Sequence, residues 1–226
     1  TQNDIFSIDP FHIRKTKDGF TTSINHFNTL RTFLKGCPTF GETENLRKLI
    51  NKSITPVDFE AIGLLKKKVI FTVSNLTQQT VEYISSDSCS HKDFCDWAWA
   101  STNFVPFMSV YQKNGNQYAD GGFGSHIPIY CALENNACEV DVIILENEHP
   151  VRNQPLATNA FSLLLKTFRF MSTQISIKDL MIGKLMGANR KTDIRIYYTP
   201  KELTDNSLIF DPAQMTQWWQ DGYEYA

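Results

Sequence analysis

The sequence predicts an α/β three-layer domain, and three observations predict it. Apolar runs of strand length recur at residues 69–74, 140–145 and 192–198, separated by stretches with helical spacing. The 226 residues suffice to bury a sizeable core, and 42% hydrophobic with 20% charged residues is the balance of a globular protein. No internal repeat or low-complexity linker divides the chain, so residues 1–226 are expected to act as one domain. The three apolar runs are expected to be strands of a single sheet.

Taken in order, residues 1–20 are expected to be irregular, with Pro10 and a turn at 15–19. Residues 24–34 carry Phe27, Leu30, Phe33 and Leu34 at helical spacing. A short helix is expected over 43–51 with Thr43 as its cap, and another from Thr55-Pro56-Val57-Asp58 to about Leu65. Residues 69–74 read as a buried strand with 81–84 as hairpin partner. Residues 91–100 read as a helix facing inward through Phe94, Trp97 and Ala98. A strand over 107–111 and a turn at Asn114-Gly115 follow, then a loop at Asp120 and a helix over 127–135. Residues 140–145, the most apolar strand-length run, belong at the centre of a sheet. A long helix over 157–185, broken near Ser172, is expected to bury Phe161, Leu164, Leu165, Phe168 and Met171. The last strand falls at 192–198, and a last helix at 213–221 is closed by Gly222. Of Trp218 and Trp219, one ring should face inward and one outward.

The composition excludes several functions. A formal charge of −2, with no basic stretch interleaved with aromatics, argues against nucleic-acid binding. No segment reaches the ~18 apolar residues of a membrane span, and no signal peptide is visible. Five cysteines at irregular spacing do not form a disulfide framework, so a reducing, cytoplasmic setting is expected. Cys89, His91 and Cys95 lack a fourth ligand nearby, and no metal is expected there.

The chemistry concentrates at Tyr118-Ala119-Asp120-Gly121-Gly122, where a carboxylate precedes two glycines between a strand-like and a helix-like run. Glycines there permit positive φ and close approach of backbone or ligand. As an isolated triplet, Asp-Gly-Gly is also ordinary turn chemistry. The flanks add to it. Ala100-Ser101-Thr102-Asn103-Phe104-Val105-Pro106-Phe107 is similar to the block that precedes the catalytic aspartate of the patatin-like phospholipase family. Asp120-Gly121-Gly122, Pro128 and the run 139–145 then follow in the family's order, and 210–223 resembles the terminal helix of bacterial members. The resemblance is carried by the blocks from Trp99 onward, covers about four-fifths of the chain and is weakest before Leu46.

The resemblance implies a central, mostly parallel sheet, with residues 1–226 the C-terminal portion of a patatin-like domain. It also implies lipid acyl hydrolysis by a serine–aspartate pair, with Asp120 as the base that activates the serine hydroxyl. The apolar setting of Phe104, Phe107, Tyr118 and Phe123 would bury that carboxylate in part. No metal or cofactor is needed. The partners implied are a lipid or phospholipid ester, a transient contact with a membrane surface, and the segment or chain that carries the serine.

One departure matters. The family's Gly-x-Ser-x-Gly elbow and its glycine-rich oxyanion loop are missing from residues 1–226. Gly122-Phe123-Gly124-Ser125-His126 has the wrong spacing and follows the aspartate, so Ser125 is not the nucleophile. His126 is expected near solvent at a helix start. The elbow is expected upstream of Thr1, with the chain a fragment or second chain of a longer protein, unless it has been lost. A non-catalytic patatin-like module used for assembly or lipid binding is therefore the alternative.

Overall fold

The computed structural model describes residues 1–16, 19–148, 156–157, 159–201, 203–204 and 208–225, and shows an α/β fold of helices with three sheets. Two compact units divide it: Gln2–Ser125, and His126–Ala226 together with Thr1.

The first unit opens with a short helix, α1 (Gln2–Ile5), and an antiparallel hairpin of β1 (Phe11–Thr16) and β2 (Gly19–Ile24). This corrects the expectation of an irregular N-terminus. Phe11 and Ile13 alternate with His12 and Arg14, but the pattern stops at Lys15 and the polar run Thr21-Thr22-Ser23 does not continue it, so the strand signal is too short to stand out. The residues at the hairpin's tip, within the expected turn, lie outside the described residues.

Helix α2 (His26–Leu34) is capped by Asn25, whose side chain accepts the Asn28 N–H at 3.1 Å. Its orientation inverts the usual rule. The polar side is seated: Thr32 is buried and Asn28 Nδ2 donates to Asp9 O at 2.8 Å. The apolar stripe Phe27, Leu30, Phe33 and Leu34 is exposed. Helix α3 (Glu44–Ser53) follows, then α4 (Pro56–Leu64), which starts with a Thr55/Asp58 capping box and proline in its first turn.

Strands β3 (Ile70–Asn75) and β4 (Thr80–Ser85) form the expected hairpin. Helix α5 (His91–Ala100), capped by Ser90, buries Phe94, Trp97 and Trp99. No strand forms at 107–109; the chain turns there, with the Met108 N–H bonded to Phe104 O at 3.0 Å. Pairing begins only at β5 (Tyr111–Lys113), which turns into β6 (Asn116–Asp120) through Asn114 and Gly115 at φ 52° and 77°. The sheet order is β4-β3-β6-β5, all antiparallel. Its core is Val73, Ala100, Trp97, Trp99, Tyr111 and Tyr118. Trp97 meets Tyr111 and Tyr118 edge-on, with centroids 5.2 and 4.9 Å away.

The second unit comprises α6 (Ile129–Glu134), β7 (Glu139–Asn147), α7 (Ala160–Arg190), β8 (Asp193–Thr199) and α8 (Pro212–Tyr225). β7 and β8 pair in parallel, the expected result of a helical crossover. Val142 and Ile144 pack with Ile127, Ile129 and Leu133, while Ile143 and Leu145 remain 76% exposed. The continuous apolar run at 140–145 is therefore covered on one face only among the described residues.

The single-sheet expectation is also corrected. β3 lies in the antiparallel sheet of the first unit, whereas β7 and β8 form their own parallel pair. The short turn at 76–79 imposes antiparallel pairing of β3 with β4, and the long connection through α7 lets β7 and β8 run parallel. α7 runs unbroken past Ser172, and its buried residues are Ser176, Gly183 and Gly187 rather than the Phe161–Met171 stripe. Ile129 fills the space that a side chain at Gly183 would need, with its Cγ2 2.7 Å from the Cβ position. α8 continues through Gly222 to Tyr225, and Trp218 is half-buried while Trp219 is exposed, as expected of that pair.

Candidate active site

Asp120 is the last residue of β6 rather than part of a loop. Two contacts hold its backbone: β3, where Asp120 lies opposite Val73, and Asn103 O, which accepts the Asp120 N–H at 3.0 Å. Its side chain closes a tight turn. Oδ1 accepts the Gly122 N–H at 2.7 Å, which fixes the carboxylate over the short 3₁₀ turn Gly121–Phe123. Gly121 O then accepts the N–H groups of Gly124 and Ser125 at 3.0 and 2.9 Å.

The glycines serve close approach, and neither Gly121 nor Gly124 has positive φ. A Cβ at Gly121 would lie 2.4 Å from Thr72 O, a backbone atom. A Cβ at Gly124 would lie 2.3 Å from Val81 Cγ2. The loop thus lies directly on β3 and β4, and Tyr83 Oη donates to Ser125 Oγ at 3.3 Å. Ser125 is buried there. Phe104 stacks on Phe123 at 5.3 Å and on Phe107 at 6.1 Å, so the aromatic residues expected near the carboxylate do gather in this unit. Asp120 itself is half-buried.

A buried polar network behind Asp120 was not evident from sequence. Asn103 is fully buried, and its Oδ1 accepts the Thr43 hydroxyl at 2.7 Å. Trp99 Nε1 donates to Thr43 O and Oγ1, both at 3.1 Å, and Thr43 N–H donates to Ser109 Oγ at 2.8 Å. Thr43 does not cap α3 through its hydroxyl, as its residue type suggested. The available signal was Asn103 itself, an amide at the head of the apolar run Phe104-Val105-Pro106-Phe107. Its Nδ2 finds no hydrogen-bond partner among the described residues.

The remaining candidates have other surroundings. His91 Nε2 lies 2.8 Å from Ile54 O, and Cys95, which is buried, lies 3.6 Å from the same nitrogen. Burial pushes the Cys95 thiol up, as it does Cys89, whose Sγ donates to Ser85 O. His126 is exposed, with Nδ1 2.6 Å from Ser176 Oγ and its N–H bonded to Asp179 at 2.7 Å. An open depression of about 430 Å³, lined by Thr77 and residues 112–117, lies at the hairpin end of β6, the end opposite Asp120.

Comparison with known proteins finds no match among curated sequences. The family model for patatin-like phospholipase matches residues 2–133. That span includes the segment before Leu46, where the motif resemblance was weakest, and ends within α6, short of the 139–145 run and the last helix. Members of this family are typically lipid acyl hydrolases. With the match covering more than half of the chain, and with Asp120-Gly121-Gly122 inside it, the chain belongs to the patatin-like phospholipase family.

Proposed function

We propose that the protein is a lipid acyl hydrolase working by a serine–aspartate dyad, in which Asp120 is the base. The serine comes from a segment upstream of Thr1 or from another chain. The observation that carries this reading is the fixation of one carboxylate at a strand end. Backbone pairing to β3, the Asn103 carbonyl and the Gly122 N–H all orient Asp120. A base on so rigid a support loses little reaction rate to reorientation.

In the reaction the serine hydroxyl gives its proton to the Asp120 carboxylate as Oγ attacks the acyl carbonyl. The proton passes to the leaving alcohol when the ester C–O bond breaks. Water then attacks the acyl-serine, again losing its proton to Asp120, and the fatty acid leaves as the serine recovers its proton. Cytoplasmic residence fits the five cysteines, which are thiols without a disulfide.

The test is ester and phospholipid hydrolysis by the full encoded protein with a metal chelator present. Asp120→Asn keeps the shape and removes the base, so the rate should fall by at least ~100-fold with folding intact. His126→Ala should keep most of the rate. Near-wild-type hydrolysis by Asp120→Asn would refute the assignment. An encoded protein with no Gly-x-Ser-x-Gly and no hydrolysis would favour the non-catalytic module.

A further inference from the structure

We infer that α2 docks the protein on an anionic lipid surface through Phe27, Leu30, Phe33 and Leu34. These side chains are 77%, 56%, 77% and 75% exposed, yet they occupy one face. At 100° per residue they fall within roughly 120° of arc, the width of a helix face that normally meets a core. The opposite arc holds Asn28, Thr29 and Thr32, and it is this polar side that faces the protein.

The inversion is fixed by specific bonds. Asn28 Nδ2 donates to Asp9 O at 2.8 Å, and Thr32 Oγ1 lies within hydrogen-bond distance of Phe40 O at 3.2 Å. The Cys37 N–H closes the helix end on Thr32 O at 3.0 Å. Rolling the helix to hide its apolar face would break these contacts and leave buried polar groups unpaired. The segment that seats α2 also reaches the Asp120 support: Phe40 N–H donates to Pro106 O at 2.7 Å, and Thr43 bonds Asn103.

Charge selects the occupant. Residues 11–36 carry Arg14, Lys15, Lys17, Arg31 and Lys35 against the single acid Asp18, a net +4 within a chain of −2. α2 itself has no acidic residue, and Arg31 and Lys35 both follow the edge of the apolar arc that Phe27 forms. An apolar face edged with cations suits the boundary between anionic headgroups and acyl chains. The face is small for a protein partner. A nine-residue helix about 13 Å long and about 11 Å wide has a footprint of roughly 150 Å², well short of the ~800 Å² per side of a standard interface. Insertion into a lipid boundary requires only that the side chains reach about 5–10 Å deep.

The inference does not depend on the hydrolase reading, and the experiment keeps them apart. The full encoded protein is sedimented with vesicles of phosphatidylcholine alone or with added phosphatidylserine. Wild type should bind the mixed vesicles, less so at high salt. Phe27→Ser with Phe33→Ser should lower partitioning by at least about tenfold, with an unchanged thermal melt because both rings are already in solvent. Arg31→Gln and Lys35→Gln should each lower binding to the mixed vesicles by roughly fivefold, with little effect on phosphatidylcholine alone. Asp120→Asn should bind like wild type. Wild type that ignores vesicles would overturn the inference, and so would equal binding by the Phe27/Phe33 variant. A wild-type dimer that the same variant converts to monomer would assign the face to a second copy instead.

Discussion

Glycine and aspartate do complementary work at the candidate site. Asp120 supplies the carboxylate, and Gly121 lets the chain lie on β3 closely enough for the next turn to bond back to it. The atom that would meet a Cβ at Gly121 is Thr72 O, a backbone oxygen in a paired strand, so it cannot swing aside. Gly121→Ala should therefore lift the turn and displace the Asp120 carboxylate. Hydrolysis by the full protein should fall nearly as far as with Asp120→Asn, and overpacking should lower stability by about 1–3 kcal/mol. An active, equally stable Gly121→Ala would show that the loop has slack. Gly63 makes the opposite case. It sits in α4 with nothing within 4 Å of its Cβ position. Gly63→Ala should raise stability by about 0.5–1 kcal/mol through helix propensity alone, measured by urea denaturation.

At the scale of elements, periodicity found most helices and strands but did not decide which face is buried. α5 turns Phe94 and Trp97 inward as patterned, with Trp99 buried and Ala98 only half-buried, and the β3–β4 hairpin forms at the two apolar runs expected to pair. α2 leaves its apolar stripe exposed, and the stripe of α7 reaches only half-burial at Phe161, Leu165 and Phe168 with Leu164 and Met171 exposed. A 3.6-residue period specifies that a face exists, and tertiary bonds such as Asn28 to Asp9 O decide where it points. β6 was missed because Asn116 to Asp120 lacks apolar alternation and pairs mainly through its backbone. Asp120 stands out in the sequence as a candidate, since motif order is readable without knowledge of packing. The Thr43–Asn103 support was not, because it joins residues 60 apart. Another such link pins α3 to α5: Asp96, almost wholly buried, takes Arg47 at 2.7 Å and Lys92 at 2.9 Å. Asp96→Ala should cost on the order of 2 kcal/mol, below the ~3–5 of a fully buried pair because both cations keep some water. A thermal melt unchanged by that substitution would mean that the helices hold together by apolar contact alone.

At the scale of the whole molecule, titratable groups with displaced pKa values are concentrated between Gln2 and Ser125. Burial raises the Cys89 and Cys95 thiols and the Tyr111 and Tyr118 phenols, with Asp96 adding to the effect at Tyr111 and Glu82 at Tyr118. Hydrogen bonds to Asp96 and Asp93 raise Lys92 and Lys113 respectively. All six shifts have the same consequence. A folded pKa above the unfolded one means that the unfolded chain releases its proton first as pH rises. Stability is then fully present below the unfolded pKa and declines above it. The thiols begin this decline near about pH 8.5, and the phenols and lysines join it near about pH 10. In the unit from His126 to Ala226, the displaced groups among the described residues are Arg195 and Asp221, raised and lowered by hydrogen bonds to Asp141 and Lys201, and neither titrates in that window. Trp97 and Trp99 lie in the core of the alkali-sensitive unit, so a Trp218→Phe, Trp219→Phe protein reports on that unit by indole fluorescence. Its urea midpoint should hold steady from about pH 6 to pH 8 and fall progressively between about pH 8.5 and pH 10.5. Tyr111→Phe and Tyr118→Phe together should flatten the upper part of that fall, because the phenols no longer titrate. A midpoint that stays level to about pH 10.5, or a fall unchanged by the two phenylalanines, would show that burial of these groups does not govern the unit's stability.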